Sequence, residues 1–511
     1  MRNRLKALLI LCLIISVLTA DKLWFTKAVK AETDIHPNES VEDFKKEMDE
    51  RVPKWQQTYG VPGVAIGIIH DGRITYTLTY GYVDKKKEIP IDGDTLFQAG
   101  SVSKSLTSWG ILHLADEGRL SLDAPVEKYL KGWKLPNSKF NNNEVTIRKL
   151  LSHTAGLSPH KGYPGVAPGK PLYSIKESLS GKGWLNDPVQ ITNKPGKEAL
   201  YSGVGYSILQ LVIEEVTEMP FDRYMEEQIM KPLGMKSSSF RQDTKDPNLS
   251  KAYGYFGQEL PNYQFTEQAA AGLKTNVTDM MTLILASMDT TNQKSKGYGI
   301  IKKERVEEMQ RPVLGENGLG IFVKNVPDQQ KLIYHSGDNR GWHSFYGINP
   351  SSKDGLVILT NSEGGIDLRQ DVYHSWMEYE TGEMPEGYSS IAKLRKNNLI
   401  ISCVLGVLLG IYLLLFAVKV KSGRRVFIIK HEKKPYIKAG IRIFLLFIIG
   451  TLLFCAAYVW STLRLASGNT TNFLLIMSWL LILLITVFFP KKSKRNKHNN
   501  KNSRKNVSAS L

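Results

Sequence analysis

"GVAIGIIHDGRITYTLTYGYVD", residues Gly63 to Asp84, reads as two β-type runs around His70-Asp71-Gly72. An Asp-Gly pair between runs rich in β-branched and aromatic residues predicts a tight hairpin. The chain then changes period. "FQAGSVSKSLTSWGILHLADEG" (Phe97–Gly118) predicts a helix stopping near Gly118, and from about Ser121 to Met309 the pattern is mostly helical, broken by loops such as "PHKGYPGVAPGKP". β character returns in "GLGIFVKNV", "KLIYHSG", "GWHSFYGINP" and "DGLVILTNS". Helices are predicted before the hairpin, over Val41–Gly60, and after the last strand, over Asp367–Glu380. Strands at both ends of a segment, with helices between, predict one antiparallel sheet built from the two ends. The fold class is α/β of the α+β kind. Helices flank the sheet, the helical insertion forms a second lobe, and a site falls in the cleft between them.

Outside this unit the composition shifts. The net charge of +18 is concentrated in Arg2, Arg4 and Lys6, in the stretch Lys419–Arg442 and in the tail Lys491–Leu511; the remainder is close to neutral. These basic runs sit beside apolar segments. They read as membrane topology, and nucleic-acid binding is set aside. "MRNRLKALLILCLIISVLTA" has the shape of a secretory signal ending near Ala20 or within Ala28–Ala31, with an uncleaved anchor as the alternative. Three apolar segments, about 398–418, 443–460 and 473–490, each approach the ~20 residues a membrane helix needs. The expected organisation is a signal or anchor (1–31), an extracytoplasmic domain (32–385), a juxtamembrane linker (386–397), three transmembrane helices (398–490) and a basic cytoplasmic tail (491–511). Lys393, Arg395 and Lys396 lie on the outer side of the first span, within reach of lipid headgroups. Cys12, Cys403 and Cys455 all lie in apolar stretches, so the extracytoplasmic domain has no disulfide, no Cys-based zinc site and no thiol nucleophile. Leu11 before Cys12 argues against a lipoprotein anchor.

Within the domain, Ser101 and Lys104 are three residues apart where a helix begins. On a helix they share a face. A serine at a helix N-terminus has a free backbone N–H, and the dipole there favours negative charge. It can attack a carbonyl, and its own N–H can help hold the oxyanion. A desolvated lysine one turn deeper can take the proton; a charged one can stabilise another base. The plain alternative is a capping serine and an exposed lysine, and the same spacing recurs at Ser390–Lys393 without meaning.

Three further stretches carry the argument. "KPGKEALYSGVGYSILQLVIEEVTEMPF" puts Tyr201 in a short loop before an apolar-periodic helix. "YHSGDNRGWHSFYGINP" puts His335-Ser336-Gly337 on a strand that turns at Gly341, and "VTIRKLLSHTAGL" (Val145–Leu157) reads as a helix ending in a small-residue turn. Taken alone, Tyr201 reads equally as a packed tyrosine, with Tyr173 and Tyr206 nearby in sequence, and His335 as a strand histidine without function. Together with Ser101–Lys104, the set resembles the serine β-lactamase and penicillin-binding protein superfamily, most of all its class C branch with D-alanyl-D-alanine carboxypeptidases, D-aminopeptidases and related esterases. The resemblance covers about Val41 to Glu380. It implies Ser101 as the acylated nucleophile, Lys104 as its activator and Tyr201 as general base. It further implies His335, Ser336 and Gly337 as the strand that pairs with substrate, and the Asp338 backbone N–H as second oxyanion donor. His153 is expected to be structural, bonding backbone at a helix end.

One position departs from the resemblance. Gly203 stands where the family commonly has Asn, whose amide orients the lysine and holds the substrate's acyl-amide carbonyl. The expected activity is that of a membrane-anchored serine hydrolase acting through an acyl-enzyme on a peptide, D-amino-acid amide, β-lactam or ester, with no metal or organic cofactor. The alternative, motivated by Gly203, is a catalytically weak receptor for β-lactams or wall fragments. No serine sits in Gly-x-Ser-x-Gly, and there is no His-Glu-x-x-His and no phosphate-binding Gly-Lys-Ser/Thr loop. The candidate spans carry few ionisable residues, which argues against a transporter.

Overall fold

Asp71 and Gly72 take left-handed φ values of 46° and 70°, the backbone that a two-residue hairpin needs if its twist is to match its strands. The hairpin joins β1 (Gly63–His70) to β2 (Arg73–Asp84). The computed structural model describes residues 40–383, apart from 159–162, 164, 183–187, 243–245, 256, 289–296 and 328–329, together with 411–412 and 414–422. Pro37–Pro385 form one compact unit. The expected signal segment, the juxtamembrane linker, the second and third apolar segments and the basic tail lie outside the described residues. Of the first apolar segment only 411–412 and 414–418 fall within them, and these are helical. Among the described residues no helix is long and apolar enough to cross a membrane.

The sheet has seven strands in the order β3-β2-β1-β7-β6-β5-β4, where β3 is Ile89–Pro90, β4 Phe322–Asn325, β5 Lys331–Asn339, β6 Trp342–Asn349 and β7 Asp354–Thr360. Every neighbouring pair is antiparallel. β1 and β7 meet at the centre, with Ile66 opposite Ile358. The expectation of one sheet made from the two ends of the unit therefore holds.

Both faces of the central strands are buried, because helices cover each side. Val64, Ile66 and Ile68 alternate onto one face with Leu356 and Ile358. There they pack against Phe44, Met48, Val52 and Trp55 of α1 (Val41–Tyr59) and against Leu368, Val372 and Trp376 of the C-terminal helix, Gly365–Thr381. Ala65, Ile69, Val357 and Leu359 face the other way, into a larger core shared with the helical lobe. Such alternation is the period-2 signature of a strand. Ser40 caps α1 by accepting from the Asp43 N–H, and Gly60 ends it in a left-handed turn.

The helical lobe is less regular than its composition predicts. α2 (Ser103–Asp116) starts later than the sequence indicates, because Gly100–Val102 form a 3₁₀ turn before it. The helix expected over Val145–Leu157 shrinks to α3, Ile147–Leu151. Its end is set by side chains that compete with the ladder: Ser152 Oγ donates to the Arg148 carbonyl at 2.9 Å and bonds Thr154 Oγ1 at 2.9 Å. His153 then enters the left-handed region at φ 60°. The longer helices of the lobe are α4 (Gly203–Thr217) and, against the sheet, a helix at Val277–Met288 with a short helix, Gln268–Ala271, before it. These three become α4, α5 (Gln268–Ala271) and α6 (Val277–Met288), and the C-terminal helix Gly365–Thr381 is α7. A small ladder of Phe97–Gln98 with Lys274–Thr275 ties the segment before α2 to that between α5 and α6.

Candidate active site

Three pieces meet at the mouth of α2: the 3₁₀ turn carrying Ser101, the segment leading into α4 that carries Tyr201, and strand β5. Lys104 lies in the first turn of α2 and is 2% exposed. Its Nζ donates to Ser101 Oγ at 3.0 Å and to the Ala270 carbonyl at 2.7 Å. The rings of Tyr201 and Tyr206 lie 5.1 and 5.6 Å from the same nitrogen. None of these groups is a carboxylate. Burial therefore dominates and lowers the Lys104 pKa to about 7. At neutral pH a substantial fraction of this lysine is a free amine with a lone pair, beside a hydroxyl.

Tyr201 sits two residues before α4. It is 41% exposed overall, yet burial is the main influence on its hydroxyl and pushes the phenol up, against the pull of a hydrogen bond with Ser101. It stays protonated across the physiological range. His153 grips the backbone on both sides of it. The His153 carbonyl accepts the Leu200 N–H at 2.8 Å, and its Nδ1 accepts the Ser202 N–H at 3.1 Å. The His153 and Tyr201 rings are 4.4 Å apart. Burial, then the nearby Lys104, hold His153 well below the usual imidazole range, so the ring is neutral. The structural role expected for His153 thus becomes a definite one: it seats Tyr201.

On β5, His335 is 2% exposed. Its Nδ1–H donates to the Ser336 carbonyl at 2.6 Å. Burial, with Lys104 second, pushes its pKa down to about 3, so His335 is neutral too. Its Nε2 is buried and has no partner among the described residues. The pairing with β4 ends at Tyr334 opposite Phe322, so among the described residues no strand pairs with that side of β5 from His335 onward. An extended chain can pair with an unpaired edge of this kind.

Gly337 and Gly100 are where β5 and the turn carrying Ser101 touch. A Cβ on Gly337 would lie 1.9 Å from the Ala99 carbonyl oxygen and 2.8 Å from the Ser101 nitrogen. A Cβ on Gly100, whose φ is 51°, would lie 2.6 Å from the Asp338 nitrogen. Only paired glycines allow backbones this close. The backbone nitrogens of Ser101 and Asp338 are thereby brought to the same corner, as an oxyanion hole requires. The Asp338 carboxylate accepts from His343 Nδ1 at 2.6 Å and from Arg369 Nη1 at 2.9 Å. Burial would raise its pKa, but the Arg369 charge and the His343 bond hold it well below the usual carboxylate range. Arg369 Nη1 also donates to the Gly337 carbonyl at 3.1 Å and the Ser344 carbonyl at 2.8 Å.

Of the residues expected on the strength of the sequence, the structure brings Ser101, Lys104 and Tyr201 together beside the β5 stretch His335-Ser336-Gly337-Asp338. Sequence reading missed the Ala270 carbonyl, the grip of His153 and the clamp made by Arg369. The first is a backbone atom and carries no side-chain signal. The last two act on the backbone of neighbours remote in the chain. Among the described residues no three His, Cys, Asp or Glu side chains are grouped to hold a metal.

A beta-lactamase family model matches residues 42–379, which is the whole of the sheet and both lobes. The chain belongs to the beta-lactamase family. Protein flp of Staphylococcus aureus strain N315 is 27% identical over 327 residues, 62% of this chain and 63% of that protein. This beta-lactamase-family chain thus spans a little under two thirds of the length of such relatives. A putative D-alanyl-D-alanine carboxypeptidase of Salmonella typhimurium is 30% identical over 210 residues, 39% of this chain and 48% of that one. Among solved structures, the octameric penicillin-binding protein homologue from Pyrococcus abyssi superposes with a TM-score of 0.58 at 26% identity, over 69% of this chain and 81% of its own.

Proposed function

We propose that this chain is a serine hydrolase that works through an acyl-enzyme at Ser101, on a peptide, D-amino-acid amide, β-lactam or ester. The observation that carries this reading is the buried Lys104 amine, 3.0 Å from Ser101 Oγ, with a pKa near 7. A capping serine with a surface lysine would have neither feature.

In the first step Ser101 Oγ forms a bond to the substrate carbonyl carbon while its proton passes to Lys104 Nζ. The carbonyl oxygen takes the negative charge and is held by the Ser101 and Asp338 N–H groups. The proton then moves from Lys104, through the Tyr201 hydroxyl, to the leaving nitrogen or oxygen as its bond to carbon breaks. Tyr201 acts here as a shuttle, because a phenol with a raised pKa is a poor resting base. Water then repeats the sequence on the acyl-enzyme and frees the Ser101 hydroxyl.

Membrane anchoring through 398–490, with the catalytic domain outside the cytoplasm, is part of the same proposal. It rests on the apolar segments and their basic flanks. The test uses full-length chain in detergent, with a fluorescent penicillin, short esters and D-amino-acid peptides, and Ser101→Ala as control. Turnover that disappears in Ser101→Ala supports the hydrolase. Unchanged binding in that variant with no turnover in the native chain supports a receptor, the reading that Gly203 favours.

A further inference from the structure

Gly203 and Tyr163 are complementary. Position 203 opens α4, two residues after Tyr201, and is buried. A Cβ placed there would meet the Tyr163 ring, 2.6 Å from Cε2 and 3.2 Å from both Cζ and the hydroxyl oxygen. The space that a side chain at 203 would enter is therefore already filled. The filling group is held in place: the Tyr163 hydroxyl bonds Ser207 Oγ at 2.8 Å, and the ring packs against the main core. Ser207, one turn along α4, in turn donates to the Gly203 carbonyl at 3.4 Å. The hydroxyl end of Tyr163 is thus turned into α4.

The neighbouring wall is also aromatic. The Tyr201 and Phe322 rings stack at 6.1 Å, and Phe322 lies 5.2 Å from the His335 ring. The side-chain amide on β5 is committed elsewhere: Asn339 Nδ2 donates to Gln98 Oε1 at 3.0 Å and to the Ala271 carbonyl at 3.1 Å. A substrate amide placed beside position 203 would meet the Tyr163 ring and a hydroxyl already engaged with Ser207 Oγ, with no side-chain amide to receive it. Burying an unpaired carbonyl there is costly.

We propose that Tyr163 is a specificity-determining residue: with Gly203 it replaces an amide-binding subsite by an aromatic wall, so that the site takes small acyl groups with no side-chain amide in preference to acylamido substrates. This rests on the hydrolase reading above. Short acyl esters and simple acyl amides are the class it selects; penicillins with an acylamido side chain are the class it disfavours.

The experiment compares the full-length chain in detergent with Tyr163→Ala, Gly203→Asn, the double variant Tyr163→Ala/Gly203→Asn, and Tyr163→Phe. Folding is checked by thermal melts. The readout is the ratio of Ser101 acylation rates for benzylpenicillin and p-nitrophenyl acetate. The double variant is expected to raise this ratio by at least about tenfold, the size of effect a restored polar contact and opened space can have. Gly203→Asn alone, with the ring still in place, should slow both substrates, and Tyr163→Phe should keep the native ratio. If the double variant does not fold, Tyr163→Ala alone should still raise the ratio, by about threefold or more. An unchanged ratio in folded variants that still turn over the ester through Ser101 overturns the inference and leaves the hydrolase standing. Absence of any Ser101-dependent reaction in the native chain overturns both.

Discussion

Lys104 is the residue on which the chemistry turns, and its behaviour with pH has a definite sign. The neutral amine is the reactive form, so kcat/KM should rise with pH through about 7, the value to which burial lowers the lysine, and be nearly lost two units below. Rate profiles on an ester substrate check this. Stability carries the same group in another way. An unfolded lysine titrates near ~10.4, so between that value and about 7 the unfolded chain holds the extra proton. Stability from Lys104 therefore rises with pH across that window, and the penalty for its charge is fully present below it. Urea melts at pH 6 and pH 9 should differ less in Lys104→Met than in the native chain. Tyr201→Phe removes the shuttle but keeps the ring against His153, so it should fold normally and lose about 10²-fold in turnover. The Ser101–Lys104 spacing was readable in the sequence. The depressed lysine was not, because it depends on Ala270, Tyr201 and Tyr206 closing around the amine.

At the level of elements, β5 and α7 form one working unit. Three acceptors around a single Arg369 nitrogen fix the corner from which the Asp338 N–H must point. Arg369→Ala should lower kcat by about tenfold or more while leaving KM nearly constant, since the loss falls on transition-state charge; Arg369→Lys should restore part of it. Steady-state kinetics on a short ester separate the two parameters. Gly337→Ala is more severe. Its methyl would fall 1.9 Å from the Ala99 carbonyl, a backbone atom that cannot swing aside, so β5 and the turn carrying Ser101 must part and Ser101 labelling should be abolished. The sequence announced β5 as a strand from the β character of "KLIYHSG". It did not announce that the pairing with β4 stops at Tyr334, which leaves the rest of that edge without a partner strand among the described residues. Nor did it announce that the Val145–Leu157 pattern would yield a single helical turn: Ser152 and Thr154 favour side-chain bonds that compete with the helix.

For the whole molecule, the two ends of the unit Pro37–Pro385 are each other's support. β1 from the start pairs with β7 near the end, and α1 and α7 share the core on one face of the sheet. Trp376 in α7 is 1% exposed within that core. Trp376→Ala should cost about 3–5 kcal/mol, measurable by chemical denaturation of the unit Pro37–Pro385 in the full chain. Activity should fall with the folded fraction, without a change in the pH profile set by Lys104.

Local pattern determined most of the elements and most of the site residues here. The hairpin follows from Asp71-Gly72, the strands from their runs of β-type residues, and the Ser101–Lys104 pairing from a spacing of three at a helix start. These are short-range properties, set by φ/ψ preference and by which faces neighbouring residues share. Tertiary structure decided what those residues can do. The dry setting of Lys104, the seating of Tyr201 by His153, the backbone corner at Gly100 and Gly337, and the ring of Tyr163 in the space beside Gly203 each join segments far apart in the chain. Desolvation and steric exclusion depend on what surrounds a group in space, and the order of residues along the chain does not specify that until the sheet has closed.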